Sequence, residues 1–113
     1  SSDVCSSDLC LAMENKTKIL NLLGLAMRAG KLVTGEELTL KDIRANKAKF
    51  VFVAQDASEN TRKKIKDKSS YYNVPVSELF SQFELSQAIG RPRMVIGVTD
   101  AGFATKIKEL LKG

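Results

Sequence analysis

The 113-residue sequence lacks histidine and tryptophan, and its two cysteines, Cys5 and Cys10, both lie near the start of the chain. The absence of histidine excludes imidazole acid–base catalysis and most zinc sites. After Cys10 the chain offers no thiol for a disulfide, a nucleophile or a metal site, which is typical of a protein from the reducing cytoplasm. These absences favour a cytoplasmic binding protein over an enzyme.

Long apolar runs and glycine-rich phosphate loops are also missing. No apolar run approaches the roughly 18 residues that span a bilayer, so we expect no membrane segment. Gly24 and Gly30 lie around a helical pattern, whereas a nucleotide loop follows a strand. The adjacent Glu36 and Glu37 diverge by about 100° on a helix and cannot flank one substrate atom. We therefore expect no enzyme activity, no cofactor, no metal and no small-molecule substrate.

Residues 1–12 differ in texture from the rest of the chain. The stretch "SSDVC" is nearly repeated as "SSDLC" just before Met13, and it is acidic and short, unlike a signal peptide. We interpret residues 1–12 as a non-native or disordered leader and residues 13–113 as a single domain. Without the leader, 18 basic side chains stand against 11 acidic ones. The resulting formal charge of +7 favours an anionic partner.

Helical and strand patterns alternate along residues 13–113. Apolar residues at helical spacing from Ile19 to Met27 predict an amphipathic helix, and Gly30 supplies a left-handed stop after it. The unbroken apolar runs 50–54 and 94–98 predict strands that are covered on both faces. Shorter strands are expected at 32–34 and at 74–76, the second near a sheet edge because proline cannot donate to a ladder.

The remaining helices are predicted from their caps. Thr34 and Glu37 have the spacing of a capping box, so a second helix should begin there, bury Leu40 with Ile43, and end at Asn46. The other helices are expected from Asp56 or Ser58 to about Lys68, within Ser77–Ile89 before Gly90, and after Thr99 and Asp100. This alternation predicts an α/β fold, a three-layer α/β/α sandwich with a short mixed sheet of about four strands.

Basic residues fall in two kinds of place. The run from Arg62 to Lys68 on the third helix is interpreted as a solvated helix face, the usual role of such a run. The basic residues of the second helix and of the segment Arg91–Arg93 lie at element ends and in a loop, where binding groups concentrate. Together these ends are candidates for one anion-binding site.

Three segments, "GEELTLKDIRANKAKFVFVAQDAS", "LSQAIGRPR" and "VIGVTDAGFA", resemble the superfamily of archaeal and eukaryotic ribosomal proteins L7Ae and L30e, and most closely its bacterial YlxQ-type branch. The resemblance covers Asn15 to Leu111. It implies a monomeric, non-enzymatic protein that binds structured RNA of the kink-turn type, ribosomal RNA or another bacterial RNA. The alternative is a protein-interaction module on the same fold, with incidental positive charge.

The resemblance also implies a site. In such members a glycine at the start of the second helix lets the backbone approach RNA, two polar residues and a lysine on that helix touch sheared G·A pairs, and a loop before the last strand covers an extruded nucleotide. Carried onto this sequence, these roles and the neighbouring basic position fall on Gly35, Glu37, Leu38, Lys41, Arg44 and the loop Ala88, Ile89, Gly90, Arg91, Pro92 and Arg93.

The sequence departs from that pattern at three places. Glu37 stands where Asn or Lys is usual, and a carboxylate repels phosphate and cannot donate to guanine; its other interpretation is a helix cap. Leu38 stands where Glu or Gln is usual and offers only packing, or has no role. The segment Arg91–Arg93 replaces a more apolar loop, and its guanidinium groups suit either phosphates or stacking on a base.

Overall fold

The computed structural model describes residues 7–112, with side chains from Asn15 onward. Along this part of the chain five helices alternate with four strands: α1 Ser7–Arg28, β1 Leu32–Thr34, α2 Glu36–Arg44, β2 Phe50–Val53, α3 Glu59–Tyr71, β3 Val76–Ser77, α4 Gln82–Ile89, β4 Val95–Val98 and α5 Ala101–Lys112. Residues 1–6 of the expected leader lie outside the described residues. The predicted domain boundary at Met13 falls within α1. The foreign origin of residues 1–12 stays a prediction.

The four strands form one mixed sheet in the order β1-β4-β2-β3. Strands β1 and β2 are both antiparallel to β4, and β3 lies parallel to β2 at the edge. Helix α2 contacts α3, β1 and β4, whereas α1 contacts α4, α5 and β1. The predicted α/β/α sandwich with a short mixed sheet is therefore confirmed.

The core lies between the sheet and its helices. Every residue of β2 and β4 is buried, as the unbroken apolar runs predicted. Phe52 packs its ring against those of Phe50 and Phe80, with centroid separations of 4.8 and 5.6 Å. Ile19 and Leu23 of α1 are fully buried, so the predicted apolar stripe faces the core. Within the described part of the chain, no helix is long and apolar enough to cross a membrane.

Left-handed residues end three helices, two of them at glycines. Gly30 after α1 has φ 74°, Gly90 after α4 has φ 78°, and Asn46 after α2 has φ 60°. Asparagine tolerates this conformation better than most residues. All three predicted stops are confirmed.

The predicted start of α2 is wrong. Thr34 is the last residue of β1, and Gly35 is the N-cap without any side-chain hydrogen bond to the helix. With φ 100° and ψ 148°, Gly35 occupies a region that residues with a Cβ rarely adopt. The helix therefore starts one residue later than a Thr34 cap would set it, because the chain needs this glycine to turn out of β1.

Other boundaries also shift. Helix α3 runs to Tyr71, three residues past the predicted end. Helix α4 starts only at Gln82, where the Ser81 N–H donates to Glu84 Oε1 over 3.2 Å. On α2 the buried residues are Thr39 and Ile43, while Leu40 is only half-buried. Leu40 packs against the core together with Ile43, as predicted, and the fully buried Thr39 between Leu38 and Leu40 was not expected.

Candidate functional site

The start of α2 and the loop before β4 lie at one end of the sheet, where strands β1 and β2 end and β4 begins. Because β1 and β2 run antiparallel to β4, their last residues lie beside its first. The Gly35 N–H donates to the Val95 carbonyl over 2.8 Å, and the Ala54 N–H donates to the Met94 carbonyl over 2.7 Å. These two hydrogen bonds hold the start of α2 and the segment Gly90–Met94 at the same end of the sheet. We call this end of the sheet the loop edge.

The start of α2 presents backbone donors. No side chain caps this helix, so the N–H groups of its first turn remain open to an acceptor on a ligand. A Cβ built on Gly35 would meet nothing within 4 Å, so there is open space on that side of the backbone. The carboxylates of Glu36 and Glu37 in the first turn interact favourably with the positive end of the helix dipole, but they repel an incoming anion.

The outer face of α2 carries the predicted contact residues. Glu37, Leu38, Lys41 and Arg44 are all exposed, Leu38 by 53%. Neither Lys41 nor Arg44 has an ion pair with any described residue. Arg44 is in the last turn of the nine-residue helix, roughly 13 Å along the axis from Gly35. Gly35, Glu37 and Leu38 therefore lie at the loop edge, whereas Lys41 is also in the last turn, about 9 Å along the axis from Gly35, and Arg44 is farther still.

The predicted loop from Ala88 to Arg93 has two parts. Ala88 and Ile89 are the last residues of α4, and the Ile89 side chain belongs to the core, so Ile89 offers no side-chain contact to a ligand. After Gly90, Arg91 and Pro92 are exposed, and Arg93 is half-buried with its Nη1 donating to the Pro92 carbonyl over 3.2 Å. The Arg91 guanidinium has no partner among the described residues.

Two glycines that sequence reasoning did not assign to the site control its shape. A Cβ on Gly97 of β4 would lie 2.9 Å from Val33 Cγ2 and 3.2 Å from Thr39 Cγ2, so Gly97 lets α2 pack directly on the sheet. A Cβ on Gly24 of α1 would lie 3.0 Å from the Ala88 carbonyl oxygen, where the end of α4 meets α1. A glycine inside an apolar strand or a helix is the sequence signal for such close approach.

The loop edge therefore combines cations, open backbone donors and apolar surface. Lys41, Arg91 and Arg93 supply positive charge, while Leu38 and the 37%-exposed Met94 supply apolar contact. The described residues contain no cluster of three or more His, Cys, Asp or Glu side chains that would hold a metal ion. This combination suits a ligand that carries both phosphates and flat apolar faces.

The fold and this edge define a small α/β/α sandwich of the ribosomal-protein type. Residues 17–108 match the model of the "Ribosomal protein L7Ae/L30e/S12e/Gadd45 family", and the chain belongs to this family. Within it, the chain falls in the bacterial YlxQ-type branch.

Relatives and solved structures agree with this assignment. The chain is 68% identical over 99 residues to RNA-binding protein YlxQ of Enterococcus faecium, covering 88% of this chain and 96% of that protein. It is 31% identical over 90 residues to large ribosomal subunit protein eL30 of Sulfurisphaera tokodaii, covering 77% and 85%. A solved protein of unknown function from Bacillus halodurans C superposes with a TM-score of 0.81 at 42% identity, covering 85% of this chain and 98% of the other.

Proposed function

We propose that this protein binds structured RNA of the kink-turn type at the loop edge, as a cytoplasmic, monomeric, ribosome-associated component without catalytic activity. The observation that carries the proposal is the hydrogen bond from Gly35 to Val95, because it holds the start of α2 beside the first residue of β4, two residues after the loop that the family resemblance assigns to RNA. The names of the Enterococcus and Sulfurisphaera relatives, an RNA-binding protein and a ribosomal protein, support the same class of ligand.

In this proposal the outer face of α2 contacts the sheared G·A pairs in the major groove. Lys41 lies one turn from Glu37 on the outer face and donates to base edges or to a phosphate. The uncapped N–H groups after Gly35 donate to an uncharged acceptor on the RNA, because Glu36 and Glu37 in the same turn oppose a phosphate. Glu37 accepts from a base amino group, and Leu38 packs against the exposed face of a base or sugar.

The loop has a separate role at the same edge. Arg91 and Arg93 flank Pro92, whose ring fixes its own φ and restricts Arg91. This stiff segment holds two guanidinium groups next to Gly90, the left-handed C-cap of α4. We assign it to the extruded nucleotide of the kinked RNA, through phosphate contacts or through stacking of one guanidinium on the base.

A second candidate function has one observation in its favour. Leu38 and Met94 expose apolar surface at the loop edge, which also suits a docked protein. In that case the positive charge is incidental, and RNA binding is weak, salt-sensitive and indifferent to kinks.

A fluorescence titration at fixed ionic strength separates the two functions. The wild-type protein is titrated into a blunt kink-turn RNA and into a straight duplex of equal length. Preference for the kinked RNA by tenfold or more supports the proposal, since phosphate contacts alone do not distinguish the two shapes. Equal affinity for the two RNAs, weak and lost as salt is added, would favour the protein-docking function.

A further inference from the structure

A stripe of three exposed side chains, Lys64, Lys68 and Tyr71, runs along α3. Their spacing of i, i+4 and i+7 places them on one face of the helix. We call this set the α3 stripe. The sequence alone gave its lysines only the role of a solvated face, together with the other basic residues of the helix.

The structure divides the basic residues of α3 into paired and unpaired groups. Arg62 and Lys66 lie on another side of the helix, where their nitrogens are 3.6 and 3.0 Å from the Glu78 carboxylate. Lys64 and Lys68 have no acidic partner among the described residues. Asp67 lies on the same face, three residues after Lys64, but no ion pair among the described residues joins its carboxylate to either lysine, so both ammonium groups are open to a ligand.

The helix dipole accounts for only one of these lysines. Lys68 lies in the last turn of α3, where a cation interacts favourably with the carbonyl end. Lys64 lies about two turns from that end, and the effect of the dipole does not extend so far. Lys64 is therefore the lysine of the stripe whose position is explained neither by an ion pair nor by the helix dipole.

Tyr71 supplies the second element of a nucleic-acid surface. Its side chain is 79% exposed, although a tyrosine ring is usually partly covered. The ring meets half-buried Tyr72 edge-on, with centroids 4.9 Å apart and an interplanar angle of 70°. This contact supports Tyr71 from one side and leaves most of its surface open. Lysines beside an open aromatic ring are typical of surfaces that bind single-stranded nucleic acid.

The position of the stripe relates it to the loop edge. Helix α3 starts at Glu59, shortly after Ala54, which is hydrogen-bonded to Met94 at that edge. Its 13 residues carry the chain about 20 Å away, so Tyr71 is remote from Gly35 and the loop. We propose that the α3 stripe binds a single-stranded RNA segment that continues from the structured element at the loop edge, an inference that rests on the proposed function.

The test compares kink-turn RNA with and without a single-stranded tail. Blunt RNA, and the same RNA with a 5′ or 3′ oligouridine tail of about 12 nucleotides, are titrated against wild type, Lys64→Gln/Lys68→Gln and Tyr71→Ala. Wild type should bind one tailed RNA about tenfold more tightly than the blunt RNA. Both variants should lose this gain and keep the blunt affinity. The double variant should also reduce the steepness of log K against log salt on the tailed RNA by about 1.4.

Matched variants control for charge and for aromatic surface. Lys108→Gln/Lys112→Gln removes two exposed lysines at the same spacing from α5, and Phe83→Ala removes an exposed ring from α4. Tyr71→Phe keeps the stacking surface. All three should retain the gain from the tail. If the α5 lysine variant loses the gain from the tail as fully as the α3 lysine variant, the effect reflects net charge alone, and the inference is overturned.

Free oligouridine separates this inference from the proposed function. If wild type does not prefer kinked RNA, the proposed function fails, yet the stripe should still bind the free oligonucleotide weakly and lose that binding in the Lys64/Lys68 variant. If tailed and blunt RNA bind wild type equally, or if the variants keep the gain, the α3 stripe is not an RNA-binding surface.

Discussion

Gly97 in β4 lies against Thr39 in α2 so closely that a Cβ on Gly97 would be 3.2 Å from Thr39 Cγ2. The same Cβ would be 2.9 Å from Val33 Cγ2 on the neighbouring strand. A substituted Gly97 therefore has to push α2 outward or displace Val33. Because Gly35, the N-cap of α2, is hydrogen-bonded to Val95, the depth of this packing also affects where the first turn of α2 lies relative to the loop before β4.

We expect Gly97→Ala to destabilise the fold by about 1–3 kcal/mol through overpacking and to weaken RNA binding by moving α2. Urea unfolding and the kink-turn titration measure the two effects. The control is Gly97→Ala combined with Val33→Ala, which removes the closest contact. The double variant should be less destabilised than the sum of its single changes; strict additivity would show that this contact does not limit the packing.

Lys41→Ala should weaken kink-turn binding by about 1–3 kcal/mol, as expected for a lost base or phosphate contact. The circular dichroism spectrum and the unfolding midpoint should not change, because Lys41 is exposed on the outer face of α2. Lys108→Ala removes one exposed positive charge from α5. Because only net charge changes, its affinity should stay within about twofold of wild type. Unaltered affinity in Lys41→Ala would remove α2 from the site.

The combined change Glu37→Asn with Leu38→Glu restores the residue types usual in the kink-turn binders that the chain resembles. An amide both donates and accepts, and the new carboxylate accepts where leucine has no polar atom. Kink-turn affinity should rise, with the unfolding midpoint unchanged because both positions are exposed. A lower affinity in a folded variant would mean that this branch reads RNA through another arrangement of α2.

Arg91→Gln with Arg93→Gln tests the loop. If both guanidiniums meet phosphates, affinity for kinked and straight RNA should fall alike, and the slope of log K against log salt should flatten by about 1 for each lost contact, a duplex-DNA value applied here to RNA. If one guanidinium stacks on an extruded base, affinity for kinked RNA should fall more than affinity for straight RNA, and the salt slope should change less. No loss on either RNA would exclude the loop from the interface.

Much of the fold follows from local patterns in the sequence. The apolar runs of β2 and β4 and the left-handed stops at Gly30, Asn46 and Gly90 were predicted correctly, because they depend on neighbouring residues only. The strand at 32–34 was also predicted correctly. The start of α2 was predicted one residue too early, because Thr34 and Glu37 match a capping box while Thr34 pairs with Ile96 in β1 and Gly35 takes the cap position.

The site divides in the same way. Family resemblance pointed to α2 and the loop before β4, and the structure places both at one sheet edge. Burial of Ile89 and the close approaches at Gly24 and Gly97 depend on which helices meet, so spacing alone did not reveal them. The unpaired state of Lys64 and Lys68 also required the structure, because the Glu78 carboxylate that takes Arg62 and Lys66 lies on a distant segment.

The central claim is that the start of α2 and the loop before β4 form one RNA site. The most direct test follows backbone amide chemical shifts of the wild-type protein by NMR while blunt kink-turn RNA is added. We predict that the largest changes occur at Gly35, Glu36 and Glu37 together with Gly90 and Arg91, at the same RNA concentration, while the amides of α5 stay unchanged. Changes centred on α5, or on only one of the two segments, would contradict this claim.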